Sequence, residues 1–191
     1  MMLIFVGALF VVLNFTIQFP SGAVLGLLPG FVGYILIHVG IDRLLQRENY
    51  LKYQMFNSII ALRFLIGLSA LDWLTDLFFP HTEMGFPITL LGLFLSILQV
   101  LLSVMFWVSF VRALEQVERE RTVDLVTDYL MLGVVLWTVA QALAVICALI
   151  RIEQLLVLVI LAGVGAVILF IIELFRAMRR YELCKETFPE T

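Results

Sequence analysis

Residues 155–172 read LLVLVILAGVGAVILFII, eighteen consecutive positions without a charged or polar side chain. About 20 such residues cross the ~30 Å hydrocarbon core of a bilayer as a helix. In water, a helix that is apolar on every side needs protein packed all around it. The chain repeats this demand. Six apolar segments can be drawn, at 2–18, 29–46, 55–79, 86–112, 124–150 and 154–177. The composition is 63% hydrophobic and 14% charged, against ~45–50% and ~25% in soluble domains. A soluble fold of this chain would lack the polar residues to cover its surface. The runs are continuous rather than alternating, which argues against a β-barrel. The expectation is an all-α polytopic integral membrane protein: one six-transmembrane-helix bundle over residues 1–180, with a short cytoplasmic tail at 181–191.

The opening stretch MMLIFVGALFVVLNFTIQFP has no basic n-region and no small-residue cleavage site, so it reads as a retained first helix rather than a secretory signal. Lysine and arginine near helix ends then orient the bundle. With six spans, one side of the membrane collects Arg43, Arg47, Lys52, Arg112, Arg119, Arg121, Arg176, Arg179, Arg180 and Lys185. The opposite side collects Arg151, and Arg63 falls inside the third span. This bias places both termini in the cytoplasm of a cell whose inner (plasma) membrane holds the protein. Trp73 and Trp107 read as interfacial anchors and Trp137 as mid-span. Cys147 and Cys184 form no CxxC or metal-ligand spacing and read as free thiols. No basic patch with interleaved aromatics suggests nucleic acid; the expected partner is the lipid bilayer, with a membrane protein or a second copy as a further candidate.

Ionisable groups inside spans are costly and face protein or water. Arg63 is the deepest cation. Asp72 lies nine residues on, and nine steps of ~100° put it on the opposite face, so Glu173 on the sixth helix is the expected partner of Arg63. Asp72 and Asp76 share a face one turn apart, with His81 and Glu83 close behind. That group could bind a cation or relay protons, or be carboxylates at a wet helix end. Asp124 and Asp128 can be answered locally by Arg121. Asn14, Gln18, Gln99 and Gln141 suit interhelical hydrogen bonding. His38 shares a face with Tyr34 and suits packing better than chemistry. Gly30, Gly33 and Gly40 fall at near-helical spacing and would let another helix approach closely, with Ala162 and Ala166 as the small-residue counterpart.

There is no Walker A loop, HExxH, GxSxG or clustered His/Cys site in the sequence, so no catalytic motif, metal or cofactor is expected.

Residues 27–45, LLPGFVGYILIHVGIDRLL, are the most distinctive stretch. Leu28, Pro29, Gly30, Phe31, Val32, Gly33, Tyr34, Ile35, Leu36 and Ile37 resemble a run that opens the second helix in an uncharacterised family of small multipass membrane proteins of Gram-positive bacteria. Gly30 stands where that family often has an acid. The resemblance implies a bacterial membrane protein and no particular activity. The six-helix architecture is also similar to the substrate-binding components of energy-coupling-factor vitamin transporters, although Ala8 on the first helix lacks their alanine-every-four companions. Pro29 to Arg43 is short for a full span, so residues 19–28 are expected to complete the crossing or the bilayer to thin.

The function expected from these residues is binding or movement of a small ligand. The site would be a polar cavity drawn from Asn14, His38, Arg63, Asp72, Asp76 and Glu173. The alternative is a non-catalytic accessory subunit that docks another membrane protein through Gly30, Gly33, Gly40, Ala162 and Ala166. An intramembrane enzyme comes third.

Overall fold

The computed structural model describes residues 1–12, 16–18, 24–26, 30–78, 86–121, 124–125, 127–150 and 153–187. Six helices dominate it: α1 (Met2–Val12), α2 (Gly30–Arg47), α3 (Lys52–Phe78), α4 (Phe86–Arg121), α5 (Thr127–Ile150) and α6 (Glu153–Thr187). Among the described residues, three stretches are long and apolar enough to cross a membrane, Asn49–Leu74, Ile97–Arg121 and Val157–Leu183. Their outer faces carry exposed large apolar side chains, such as Phe64 at 62% and Leu161 at 63%. α4 and α6 contain 36 and 35 residues, or ~50 Å of helix each, well beyond the hydrocarbon core. Their surplus is the charged C-terminal part of each, beginning at Arg112 and Glu173.

The helix expected over 2–18 stops at Val12. Thr16–Gln18 is instead a strand, β1, paired antiparallel with β2 (Val24–Gly26) in the register Thr16↔Gly26, Ile17↔Leu25, Gln18↔Val24. β-Branched Thr16, Ile17 and Val24 favour extended backbone, and Pro20, Ser21 and Gly22 between the strands are turn-forming types. The apolar content of 2–18 hid a change of period. α1 is therefore 11 residues long, about half the length of a bilayer-spanning helix.

The chain divides into two compact units. In the first, Met2–Phe106, α1 and α2 run antiparallel with their backbones nearly touching. A Cβ placed on Gly33 would lie 2.6 Å from the Gly7 carbonyl oxygen, and one on Gly40 would lie 2.5 Å from Ile4 Cγ1. Ile4, Ala8, Ile37 and Ile41 fill the seam and are buried. With no hydrophobic drive between helices in lipid, this close van der Waals fit holds the pair. α2 and α3 form a second antiparallel pair, closed at both ends. At one end the chain turns through Glu48 and the short 3-10 turn Asn49–Leu51, with the Glu48 N–H donating to the Leu44 carbonyl at 2.8 Å. At the other, Phe31 and Trp73 meet edge-on at 5.8 Å. The hydroxyl of buried Tyr34 hydrogen-bonds Gln99 and Ser103 of α4.

The second unit contains Trp107–Thr191. α5 and α6 cross where Gly133 meets Phe170, whose Cα would stand 3.0 Å from a Cβ on that glycine. Phe170 is the hub of an aromatic group, with Trp107 at 4.8 Å edge-on and Trp137 at 5.6 Å stacked. Trp107 is buried, so the interfacial anchor expected there is a core residue. Beyond the aromatics the helix ends are tied by polar contacts. Thr127 donates to Glu118 at 2.6 Å, and Arg180 donates to both the backbone oxygen and the carboxylate of Asp124 at 2.9 Å. Asp124 thus holds α6.

Candidate functional site

α2 presents Ile35, His38, Val39 and Asp42 on one face, at helical spacing i, i+3, i+4 and i+7. α3 presents Ile60, Arg63, Phe64 and Gly67 at the same spacing. Both sets reach the surface of the unit: Ile35, Val39, Ile60 and Phe64 are exposed, and His38 is partly exposed. The antiparallel pairing brings the polar members of the two rows together. His38 Nδ1 lies 3.1 Å from Asp42 Oδ2, one turn along the same helix. Arg63 Nε donates across to His38 Nε2 at 3.4 Å.

The two ring nitrogens have different neighbours. Nε2 accepts from the guanidinium, and Nδ1 faces the Asp42 carboxylate. The result is a chain of carboxylate, imidazole and guanidinium with a negative and a positive end. It orients Arg63 through one nitrogen. The two Nη groups meet no protein partner among the described residues. The imidazole thus lies between a carboxylate and a guanidinium.

The candidate residues fall in several places. His38 and Arg63 are brought together. Asp72 lies on α3, exposed and outside this chain. Asn14 lies outside the described residues, and of Asp76 only the backbone, within α3, is described. Glu173 is on α6, buried, with Oε1 accepting from Arg176 Nη1 at 2.7 Å. Arg63 and Glu173, expected as a pair, each find a partner inside their own unit. Oε2 of Glu173 is buried without a hydrogen-bond partner among the described residues. No group of three metal-ligating side chains occurs among the described residues.

The small residues divide in the same way. Gly33 and Gly40 pack on α1, whereas Gly30 faces the Ser69 hydroxyl of α3. Ala162 and Ala166 line an apolar groove of about 230 Å³ between α5 and α6, with Leu136, Ala140 and Gly165. Across the seam Gly33 meets Gly7 and Gly40 meets Ile4. Asp42 joins the site at a spacing legible in the sequence, four residues after His38. Spacing puts Tyr34 on the face of His38, while its hydroxyl bonds Gln99 and Ser103 of α4.

Comparison with known proteins returned no match: no family model matches the chain, and no curated protein or solved structure matches it.

Proposed function

We propose that the chain is a six-helix multipass protein of the bacterial plasma membrane, with both termini in the cytoplasm, that binds a small ligand at the Asp42–His38–Arg63 chain. The observation that carries this is a guanidinium tethered at Nε and open at both Nη groups on an exposed apolar face. A cation is expensive at membrane depth, and such residues mark ligand paths or lipid contacts. The groove between α5 and α6 is apolar, so the ligand reading rests on the α2–α3 face rather than on a polar cavity between helices. The lysine and arginine bias supports the orientation, and α1 and α2 act as a short pair extended by the β1–β2 hairpin.

The test is chemical. Molecules extracted from the purified wild-type protein are compared by mass spectrometry with those from Arg63→Leu. A species lost from the variant identifies the ligand; identical extracts remove the proposal.

The accessory-subunit reading keeps one support. Gly33 and Gly40 are consumed inside the chain, but Ala162 and Gly165 are exposed, with open space at Gly165. A partner helix would dock there. Co-elution of a stable membrane partner that is lost on Ala162→Leu would favour this second reading.

A further inference from the structure

We propose that Arg63 is a receptor for the phosphate of an anionic phospholipid in the cytoplasmic leaflet. The inference rests on the α2–α3 face being the ligand site and names the class of ligand it takes.

Three observations converge on it. The first is the shape of the donor. Nε is occupied by His38, which leaves the Nη1/Nη2 end of the guanidinium open, and two parallel N–H groups match two phosphate oxygens. Asp42 meets the imidazole at the far end of the chain, so it leaves both Nη groups of Arg63 for an anion.

The second is depth and direction. Arg63 lies eleven residues past Lys52, the start of α3, or ~16 Å along the axis. Side chains on a helix slope toward its N-terminus, so the guanidinium reaches back toward the end marked by Arg43, Arg47 and Lys52. In the orientation given above, that end is the cytoplasmic headgroup layer. A long cationic side chain that climbs to the headgroups keeps its charge out of hydrocarbon.

The third is what surrounds the charge. Ile35, Val39, Ile60 and Phe64 are exposed on the same two rows. A soluble phosphate would satisfy the guanidinium and leave those side chains uncovered. A phospholipid covers both, headgroup on Arg63 and acyl chains along the apolar flanks. Gly67 sits one turn beyond Arg63 on the same face, and nothing lies within 4 Å of the position its Cβ would take. That notch lies on the side away from the headgroups, where the upper acyl chain would run.

The full chain, purified in detergent micelles doped with phosphatidylcholine alone or with added phosphatidylglycerol, is examined by native mass spectrometry. Inorganic phosphate is titrated in parallel against thermal unfolding of the phosphatidylcholine sample. The wild type should retain phosphatidylglycerol preferentially. Arg63→Leu should weaken that retention about tenfold, equivalent to ~1.4 kcal/mol, and Arg63→Lys should weaken it less, since it keeps the charge without the fork. Equal retention by folded Arg63→Leu overturns the proposal. Protection by inorganic phosphate without retention of phosphatidylglycerol also overturns it, because the source is then a soluble anion. If neither phosphate species binds but another co-purified molecule is lost from Arg63→Leu, the lipid assignment fails while the ligand site stands. If no molecule is lost, both fall. Should Arg63→Leu not fold, Gly67→Leu fills the notch without touching the guanidinium; reduced phosphatidylglycerol retention supports the proposal and unchanged retention overturns it.

Discussion

Arg63 Nε stands 3.4 Å from His38 Nε2, and the other nitrogen of that imidazole stands 3.1 Å from Asp42. The cross-helix bond is long and exposed, so its contribution to stability is small. A double-mutant cycle of His38→Phe and Arg63→Leu, read by thermal unfolding in detergent, should give a coupling of ~0.3–1 kcal/mol. Strictly additive single variants would show that the two side chains do not interact.

The α1–α2 seam should be far less forgiving. At Gly33 a new side chain would meet the Gly7 carbonyl, Val11 and Phe10 within 3 Å. Backbone cannot yield as a flexible side chain can, so Gly33→Leu should cost at least ~3 kcal/mol, the upper end of ordinary overpacking, or prevent folding. Gly165→Ala is the control. It sits in helical α6 with nothing within 4 Å of its Cβ, and should stabilise by ~0.5–1 kcal/mol through helix propensity. Comparable losses in the two variants would mean that the seam is not where the structure puts it.

How much of this was legible follows from which residues carry period and which carry contacts. The long apolar runs announced helices, and α2, α3 and α5 begin within three residues of their expected starts. Ends were harder to read. α4 and α6 continue through charged residues because Glu, Arg, Gln and Lys are good helix formers, so hydropathy stopped before the helix did. The strand at Thr16–Gln18 was hidden because an apolar run looks the same at either period. Pair partners were the least legible. Depth in the membrane points Arg63 to Glu173, but depth does not say which helices are neighbours, and the α2–α3 hairpin brings His38 to Arg63. The α2 glycines read as a packing stripe, but Gly7, alone in the first helix, carries no periodic signal.

Glu173 makes a prediction with opposite signs. Its Oε1 takes Arg176 and its Oε2 is buried without a described partner. Arg176→Ala leaves a buried carboxylate uncompensated and should destabilise by ~1–3 kcal/mol, below the usual range for fully buried pairs because Arg176 is largely exposed. Glu173→Gln removes the charge at constant shape and should be neutral or stabilising. Chemical denaturation of the two variants side by side checks this; a Glu173→Gln loss larger than that of Arg176→Ala would contradict it.

Phe170 should be the most sensitive position of the second unit. It is fully buried between Trp107 and Trp137 and beneath Gly133. In lipid the transfer part of a truncation shrinks, since exposed and buried sites are both apolar, but lost packing and the cavity remain. Phe170→Ala should therefore cost ~2–3 kcal/mol, less than the ~3–5 typical of soluble cores. Tryptophan emission, fed by two direct neighbours, should change in the same variant. Unchanged emission would place the aromatic hub elsewhere.

The orientation can be tested with the two cysteines the chain already carries. Cys184 lies in the charged C-terminal part of α6, beside Arg179, Arg180 and Lys185, and Cys147 lies within the apolar stretch of α5. A thiolate forms readily in water and poorly in hydrocarbon, so an impermeant maleimide should modify Cys184 alone. It should do so in inverted membrane vesicles and not in intact right-side-out ones. With both native cysteines replaced by serine, a cysteine introduced at Glu153, next to Arg151, should show the reverse pattern, because an even number of crossings separates neither terminus from the other but one crossing separates Glu153 from Cys184. Labelling of both positions from one side would leave α6 unable to cross the bilayer. Labelling of Cys184 from outside would invert the whole topology, and with it the headgroup layer that Arg63 faces.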